Sequence, residues 1–339
     1  MYKVGMYGGS FDPLHIGHLT NILRAASMCE ELYVILSYSD NRDNIPRNER
    51  YRWIYNSTKH IGNVKVLCIE DKASSKEEYN DSCWEQGAKD IKKAIGKPID
   101  IVFCGDEYRG KYFEKLYENS FIYYFSRAEI PISSTQIRNN PYKYWDYIPN
   151  ICKEHYVKKV LLIGGESSGK SVLTQNLSLA YNTNFVSEVG RDTCEYAGGE
   201  DFMTSNDLIE NLLKQRINVD EAKKHSNKVL FVDTDALTTK FYINFLLDET
   251  SKEAIDCNKL ALAIDAINSW DLILFLEPTV AFVQDGTRSE IIASDRKIYS
   301  DQIKYLFEYN HHKYEILDGD YLQRFETAKM LVDKLLQIE

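Results

Sequence analysis

Several features that mark whole classes of protein are missing from this chain. No apolar run reaches the roughly 20 residues of a membrane-spanning helix. No run of lysine or arginine stands out and the formal net charge is -10, so binding to nucleic acid through phosphate neutralisation is not expected. The seven cysteines are scattered, and no pair has metal-ligand spacing, which predicts reduced thiols in a reducing cytoplasm.

Internal repeats, low-complexity tracts and the basic and apolar regions of a signal peptide are also absent. What is present is the composition of a globular protein, with 44% hydrophobic and 27% charged residues. A length of 339 residues suits two domains of about 150 residues each.

Short apolar runs alternate with longer amphipathic runs in both halves of the chain. Strands are predicted at residues 2–7, 31–37, 64–69, 99–104 and 121–125, and again at 158–164, 185–189, 229–233, 272–276 and 314–317. This alternation predicts two α/β domains, each a doubly wound parallel sheet with right-handed crossovers. The segment 139–155 has no clean period and contains Pro141 and Pro149, so the domains are placed at 1–155 and 156–339.

The strongest motif follows the first strand of the second half. Gly164-Gly-Glu-Ser-Ser-Gly-Lys-Ser171 is a phosphate-binding loop in its required place between a strand and a helix. Its glycines let backbone N–H groups turn toward phosphate oxygens, and the helix N-terminus adds positive potential. Lys170 is expected to reach the β- and γ-phosphates of ATP, and the Ser171 hydroxyl to ligate Mg²⁺.

Acidic residues follow the next two predicted strands of this half. Asp233 is the candidate for the carboxylate on the Mg²⁺ side, with Asp235 as a residue that holds substrate or caps a helix. Glu188 and Asp192 are both candidates for accepting the proton of an attacking hydroxyl, although a salt-linked surface loop is the plainer interpretation. The general base therefore stays open among Glu188, Asp192 and Asp233.

A glycine-containing segment, 284–289, carries Arg288, the expected cation that stabilises the transition state under a closing lid. Arg296 is the second choice, because an arginine on a helix is more often a surface residue. No basic face accompanies this half, which favours a small molecule over nucleic acid as the substrate.

In the first half, Gly8-Gly-Ser-Phe-Asp-Pro-Leu-His-Ile-Gly-His18 follows the first strand. His15 and His18 are three residues apart, so they share one face at the start of a helix. Two imidazoles there can hydrogen-bond phosphate oxygens and suit in-line attack on the α-phosphate of ATP. A zinc site is the rival interpretation, but no third ligand is close in sequence.

The segment Pro131-Ile-Ser-Ser-Thr-Gln-Ile-Arg138 closes this half. Ser133, Ser134 and Thr135 resemble the N-cap of a helix, and Arg138 lies on its next turn. Together with the histidine loop, these residues predict a site for a triphosphate.

These two motifs resemble those of the nucleotidylyltransferase superfamily, and their fusion to a phosphate-loop kinase resembles the NadR family. The resemblance covers nearly the whole chain. It implies a bifunctional enzyme whose second half phosphorylates nicotinamide riboside with ATP to nicotinamide mononucleotide (NMN), and whose first half adenylylates NMN with ATP to give NAD and pyrophosphate. Mg²⁺ is the implied cofactor.

The resemblance also implies a set of site residues. ATP in the first half would be held by Gly8, Gly9, Ser10, Phe11, His15, His18, Gly105, Asp106, Ser133, Ser134, Thr135 and Arg138. ATP in the second half would be held by Gly164, Gly165, Glu166, Ser167, Ser168, Gly169, Lys170, Ser171, Arg288 and Tyr321, the last within Asp318-Gly-Asp-Tyr-x-x-Arg-Phe325 near the adenine edge. The nicotinamide substrates would contact Trp84, Asp235, Phe282 and Asp285.

The chain departs from the family pattern at one place. Phe282-Val-Gln-Asp-Gly286 stands where the family has Trp-Val-Asp-Asp-Gly, so Phe282 could still stack on the ring but one acidic group is lost at Gln284. A DNA-binding helix-turn-helix domain carried by some members is not expected, because the first strand begins at residue 2.

Two alternatives remain open at this point. One is a different nucleotidylyltransferase, for pantetheine phosphate or using CTP, fused to a nucleoside kinase. The other is a regulatory protein that senses NAD or NMN without turnover. The sequence also leaves open whether the chain forms a homo-oligomer.

Overall fold

The computed structural model describes residues 1–71, 73, 80–105, 107–126, 128–282 and 290–338. The chain divides into two compact units, Met1–Lys153 and Glu154–Glu339. The division falls within a short helix, Asn150–Tyr156, in the proline-containing region where the sequence places the domain boundary.

The first unit is built on a parallel sheet in the order β3-β2-β1-β4-β5. Its elements are β1 (Tyr2–Gly9), α1 (Ile16–Met28), β2 (Cys29–Tyr38), α2 (Arg47–Thr58), β3 (Val64–Glu70), α3 (Asp81–Ile95), β4 (Ile101–Cys104), α4 (Glu107–Leu116), β5 (Phe121–Tyr124), α5 (Ser134–Asn139), a 3-10 turn at Trp145–Tyr147, and α6 (Asn150–Tyr156).

Strand β1 lies at the centre of this sheet because it is apolar on both faces. Val4, Met6 and Tyr7 are buried, and Gly5 pairs with Leu32 of β2 on one side and Ile101 of β4 on the other. The strand order reverses between β1 and β4, and parallel sheets bind ligands in the crevice at such a point. The loops that follow β1 and β4 therefore line the binding crevice.

The second unit has a parallel sheet in the order β10-β9-β6-β8-β7. Its elements are β6 (Lys158–Gly164), α7 (Lys170–Ala180), β7 (Phe185–Val186), α8 (Val189–Ala197), a 3-10 turn at Glu200–Phe202, α9 (Ser205–Lys224), β8 (Val229–Asp233), α10 (Ala236–Leu246), α11 (Lys252–Ile267), β9 (Leu272–Leu276), α12 (Glu290–Ser294), α13 (Arg296–Tyr309), β10 (Glu315–Leu317) and α14 (Tyr321–Leu335).

The doubly wound α/β architecture predicted for both halves is confirmed. Strand β7 is shorter than expected, with two residues rather than five, because α8 already begins at Val189. Conversely, β2 begins at Cys29, two residues before the predicted start at residue 31, because α1 already ends at Met28. Among the described residues, no helix is both long enough and apolar enough to span a membrane.

The central strand of the first unit gives a test of its packing. A Cβ added at Gly5 would overlap the Cys29 thiol and lie 3.1 Å from the Phe103 ring. We expect Gly5→Ala to lower the free energy of unfolding by about 1–3 kcal/mol, since a filled core has no room for a further methyl group.

Gly87 in α3 provides the matched control. No heavy atom lies within 4 Å of a Cβ built there, so Gly87→Ala should stabilise the helix by about 0.5–1 kcal/mol. Urea denaturation of both variants measures the difference. Equal stability of Gly5→Ala and the unmodified protein would contradict the packing of β1 described above.

Candidate functional sites

The two histidines of the first unit lie face to face at the start of α1. His15 is the N-cap of this helix, and its Nδ1 accepts a hydrogen bond from the backbone N–H of His18 at 3.3 Å. The two rings stack with their centroids 3.6 Å apart. A Cβ at Gly17 would lie 3.1 Å from the His15 ring, so the glycine keeps this approach open. The pair thus presents two imidazoles to the crevice.

The loop before these histidines is held from behind by a buried arginine. Arg50 of α2 is 1% exposed, and it donates to the Ser10 carbonyl at 2.6 Å and to the Asp43 carboxylate at 2.8 Å. Phe11, the next residue, has a φ of 48°, which is rare for a residue with a side chain. Arg50 was not among the residues predicted from the sequence. Its place three and four residues before the buried Trp53 and Ile54 is the signal that it faces inward.

The histidine loop and the segment 133–138 meet, as the sequence predicts. Ser134 Oγ donates to the Pro13 carbonyl at 2.9 Å, and Arg138 donates to the Asp12 carbonyl. The buried carboxylate of Asp12 accepts from the backbone N–H groups of Asn44 and Ile45 at 3.1 and 3.0 Å. Two separate segments, residues 133–138 and 44–45, therefore hold this loop in place.

The N-terminus of α5 is capped by its own side chains. Ser133 and Gln136 form a reciprocal capping box, and Arg138 Nη2 donates to Thr135 Oγ1 at 3.1 Å. The predicted hydroxyl cluster therefore includes one true helix cap, Ser133. Ser134 and Thr135 lie in the first turn.

A cavity of about 1060 Å³ opens over these residues. Most of the predicted ligands of the first unit line it: Gly8, Gly9, Ser10, His15, His18, Trp84, Gly105, Ser133, Ser134, Thr135 and Arg138. Phe11 is buried and does not line the cavity. Trp84 does, with its ring stacked on Tyr112 at 5.1 Å between centroids. Asp106 lies outside the described residues.

In the second unit, the loop after β6 adopts a phosphate-binding conformation. Gly164 has a φ of 147°, and a Cβ there would lie 2.5 Å from the Leu276 carbonyl. Gly169 has a φ of 91° and precedes α7, and a Cβ on it would lie 3.2 Å from the Tyr321 ring. Both glycines are therefore required by backbone conformation and by space. Tyr321 lies against the loop, where the sequence predicts an ATP contact.

The lysine and serine of the motif are oriented by hydrogen bonds within the second unit. Lys170 Nζ donates to the carbonyls of Gly164 and Gly165 at 3.0 and 3.1 Å. Ser171 Oγ donates to Asp233 Oδ2 at 2.6 Å, and Asp233 is 1% exposed at the end of β8. The structure thus brings together the two residues predicted to ligate Mg²⁺.

Two arginines from later in the chain hold the other carbonyls of this loop. Arg324 of α14, which is 2% exposed, donates to the Ser168 carbonyl at 2.6 Å. Arg296 of α13 donates to the Ser167 carbonyl at 3.1 Å and lies over the Phe282 ring at 5.6 Å. From the sequence, Arg296 was only the second choice and Arg324 was not predicted, although it belongs to the segment 318–325 that resembles the family.

A second cavity, of about 100 Å³, lies beside the phosphate-binding loop. It is lined by three carboxylates, Glu166, Glu188 and Glu200, together with Lys170 and Arg191. The hydroxyl of the half-buried Tyr242 donates to Glu166 Oε1 at 3.1 Å. Burial raises the Tyr242 pKa well above its usual value, and the charges of Glu166 and Glu188 raise it further. The phenol therefore stays a donor that fixes Glu166.

The structure distinguishes between the acidic residues that the sequence singles out. Glu188 lines the cavity, whereas Asp192 is exposed in the first turn of α8 and does not. Asp235 is the N-cap of α10, with its Oδ1 accepting from the backbone N–H of Thr238 at 3.1 Å, and it does not line the cavity. Arg288 and Asp285 lie outside the described residues.

Comparisons with known proteins agree with this two-part arrangement. The Cytidylyltransferase-like family model matches residues 6–140, and the AAA domain model matches residues 159–324. The chain is 30% identical to the Trifunctional NAD biosynthesis/regulator protein NadR of Escherichia coli strain K12, and the match covers 98% of this chain and 83% of that protein. Its first part is 29% identical to a phosphopantetheine adenylyltransferase of Streptococcus pneumoniae strain 70585, over 41% of this chain and 75% of that protein.

Solved structures show the same fold over the whole chain. A NadR protein in complex with NR matches with a TM-score of 0.83 at 23% identity, covering 100% of this chain and 97% of that one. A NadR protein in complex with NAD and AMP-PNP matches with a TM-score of 0.81, also at 23% identity and with the same coverage.

Asp235 makes the stability of the second unit depend on pH. Burial raises its pKa to about 7, with the nearby Asp265 adding to the shift. The folded protein therefore keeps this proton up to about pH 7, whereas the unfolded chain releases it near pH 4, so stability falls as pH rises between these values. Asp235→Asn preserves the cap without the charge. We expect the variant to match the unmodified protein near pH 4 and to exceed its stability at pH 8 by up to about 4 kcal/mol.

Asp207 supplies a control of opposite sign. Hydrogen bonds from the Thr204 side chain and backbone lower the Asp207 pKa, so its stabilisation is present above pH 4 and is lost as pH falls. Asp207→Asn should therefore be less stable at neutral pH, with a difference that shrinks in acid. Thermal unfolding from pH 4 to 8 measures both profiles, and a pH-independent effect of Asp235→Asn would disprove the assignment.

Proposed function

This chain belongs to the NadR family, and we propose that it is a bifunctional enzyme that converts nicotinamide riboside to NAD in two steps. The second unit transfers the γ-phosphate of ATP to the riboside and gives NMN. The first unit joins NMN to the AMP part of a second ATP and releases pyrophosphate. One observation carries this proposal: in each unit a glycine-containing loop follows the carboxyl end of the central strand, and hydroxyl side chains donate hydrogen bonds to that loop or from it.

The cavity beside the kinase loop supports a cationic acceptor. Nicotinamide riboside carries a positive pyridinium ring, and the three carboxylates of this cavity outnumber its two cations, Lys170 and Arg191, by one. An excess negative charge in a small, partly desolvated space is offset by a bound cation. A neutral nucleoside of similar size would leave the excess charge in place, so charge selects the acceptor.

Glu188 is our choice for the general base of the phosphoryl transfer. Of the three candidates left open by the sequence, it lines the cavity, while Asp192 is exposed and Asp233 is engaged with Ser171. Its carboxylate takes the proton of the attacking 5′-hydroxyl as the oxygen bonds to the γ-phosphorus. The bond from the γ-phosphorus to the bridging oxygen of the β-phosphate breaks, and ADP leaves with the electron pair. Lys170 then stabilises the charge that develops on the phosphate oxygens.

The residues around Ser171 fit a magnesium ion. A hydroxyl and a buried carboxylate are already 2.6 Å apart, and oxygen ligands of this kind are what Mg²⁺ prefers. When bound, the ion would neutralise negative charge between the β- and γ-phosphates. Ser171 and Asp233 would hold it.

The first unit supplies donors rather than a nucleophile. The NMN phosphate attacks the α-phosphorus of ATP, the bond to the β-phosphate oxygen breaks, and pyrophosphate leaves with the electron pair. We assign His15 and His18 to the oxygens of the α-phosphate, where charge builds up, and Arg138 to the triphosphate. Trp84 is the candidate for stacking on the nicotinamide ring, since an indole attracts a cationic ring.

Point substitutions should separate the two activities. We expect Lys170→Ala to lower kinase turnover by at least about 100-fold and to leave adenylyl transfer unchanged, because each unit has its own phosphate-binding loop. His18→Ala should do the reverse. Liquid chromatography with mass spectrometry measures NMN and NAD formed from nicotinamide riboside, ATP and Mg²⁺, and NAD formed from NMN.

These assays also decide between the alternatives. Failure to form NAD from NMN, together with tight NMN binding, would favour a sensor. Adenylylation of pantetheine phosphate in preference to NMN would favour the activity of the Streptococcus pneumoniae relative of the first unit. Loss of both activities in either variant, without unfolding, would contradict two independent sites.

Charge selection is tested by Glu166→Gln. This change removes one of the three carboxylates but keeps an oxygen for the Tyr242 hydroxyl. We expect kcat/KM for nicotinamide riboside to fall about tenfold while kcat/KM for neutral nucleosides such as uridine stays the same or rises. Glu210→Gln on α9, outside the cavity, is the control. An equal fall in kcat/KM for charged and for neutral acceptors would mean that Glu166 does not select for charge.

A further inference from the structure

Two arginines, Arg324 and Arg296, lie against the phosphate-binding loop of the second unit and hold its carbonyl groups. Arg324 is almost completely buried, yet among the described residues it forms no ion pair with a carboxylate. Its hydrogen bonds go to the Ser168 carbonyl at 2.6 Å, to the Glu277 carbonyl at 2.7 Å, and to the Thr279 hydroxyl. Burying a charged group costs free energy unless it is hydrogen-bonded, and here the acceptors are carbonyl and hydroxyl oxygens.

Arg296 makes the same kind of bridge one residue earlier. Its Nη2 donates to the Ser167 carbonyl at 3.1 Å, and its Nη1 donates to the Val280 carbonyl at 2.8 Å. Each guanidinium therefore joins one carbonyl of the phosphate-binding loop to one carbonyl of the segment 277–280, which follows β9. The carbonyls of two consecutive loop residues, Ser167 and Ser168, thus accept hydrogen bonds from arginines on two different helices.

The direction of these bonds has a direct effect on the loop. In a trans peptide the C=O and the following N–H point in opposite directions. A Ser168 carbonyl held by Arg324 turns the Gly169 N–H away from that arginine, and a Ser167 carbonyl held by Arg296 does the same for the Ser168 N–H. These are backbone donors of the kind that bind phosphate in such loops.

We infer that Arg324 and Arg296 are positioning residues that set the peptide planes of the kinase phosphate-binding loop before ATP arrives. The forked guanidinium suits this task, because two N–H groups can hold two carbonyls at a fixed angle. A lysine keeps the charge but offers a single ammonium. It cannot hold both carbonyls in the same geometry, so the loop would have to be ordered by ATP itself.

The inference rests on the proposed kinase activity of the second unit, and lysine variants of the full-length protein test it. We expect Arg324→Lys and Arg296→Lys each to raise the kinase KM for ATP by about tenfold and to leave the KM for nicotinamide riboside within about twofold. The KM for ATP in the adenylyl transfer reaction of the same molecules should not change. A purely structural defect would not affect one substrate of one reaction.

Arg216→Lys is the matched control. Arg216 also bridges two partners in the second unit, Asp220 at 2.9 Å and Asn268 at 2.6 Å, but it is not in contact with the loop. Both KM values should stay the same in this variant. Thermal unfolding of all three variants shows whether the second unit remains folded.

The outcomes are distinct. Lysine variants that fold and keep a KM for ATP within about twofold of the unmodified protein overturn the inference, as does an equal rise in the KM values for both kinase substrates. If Arg324→Lys does not fold, the partly exposed Arg296 decides the question alone.

Failure of the proposed function would be recognised separately. If the unmodified protein does not phosphorylate nicotinamide riboside, binding of a non-hydrolysable ATP analogue can still be measured by calorimetry in a His18→Ala background. Weaker binding in Arg324→Lys or Arg296→Lys would then uphold the inference without the kinase assignment. Unchanged binding would overturn it.

Discussion

The orientation of a few peptide groups by arginines packed against the two loops is the constraint on which both sites depend. Each loop contains a non-glycine residue with positive φ, Phe11 at 48° and Ser167 at 55°. Such a conformation costs about 1–2 kcal/mol for an L-residue. In each case an arginine holds an adjacent carbonyl, Arg50 that of Ser10 and Arg296 that of Ser167 itself. Hydrogen bonds from a charged donor contribute about as much as this strain costs.

The two units apply this arrangement to different chemistry. In the first, the loop leads to two stacked imidazoles, which are suited to donate to phosphate without a fixed charge. In the second, it leads to Lys170, a fixed cation, and to Ser171, whose hydroxyl donates to the Asp233 carboxylate. The shared element is the central strand of a parallel sheet, whose apolar residues bury it and whose carboxyl end exposes the loop. The arrangement around the loop, rather than the fold itself, decides which phosphate is attacked.

Local sequence patterns predicted most of the fold and the loop motifs of both sites. Apolar periodicity located the strands, and glycine spacing located both loops, because these features depend on neighbouring residues. The arginines behind the loops were beyond such reasoning. Arg324 lies 156 residues from Ser168, and nothing in its immediate sequence shows that α14 packs against the loop. Likewise, Glu188 and Asp192 are four residues apart on one segment, and only the packing of α8 shows which of them faces the cavity.

The acidic lining of the small cavity also bears on how the product departs. Nicotinamide riboside enters with one positive charge, but a phosphate of about two negative charges leaves NMN with a net charge of about -1. Glu166, Glu188 and Glu200 outnumber the cations Lys170 and Arg191 in this cavity by one, and this excess negative charge favours the first species over the second. Phosphorylation thus removes the net attraction that draws the riboside into the cavity, so the reaction itself weakens the electrostatic hold of the site on its product.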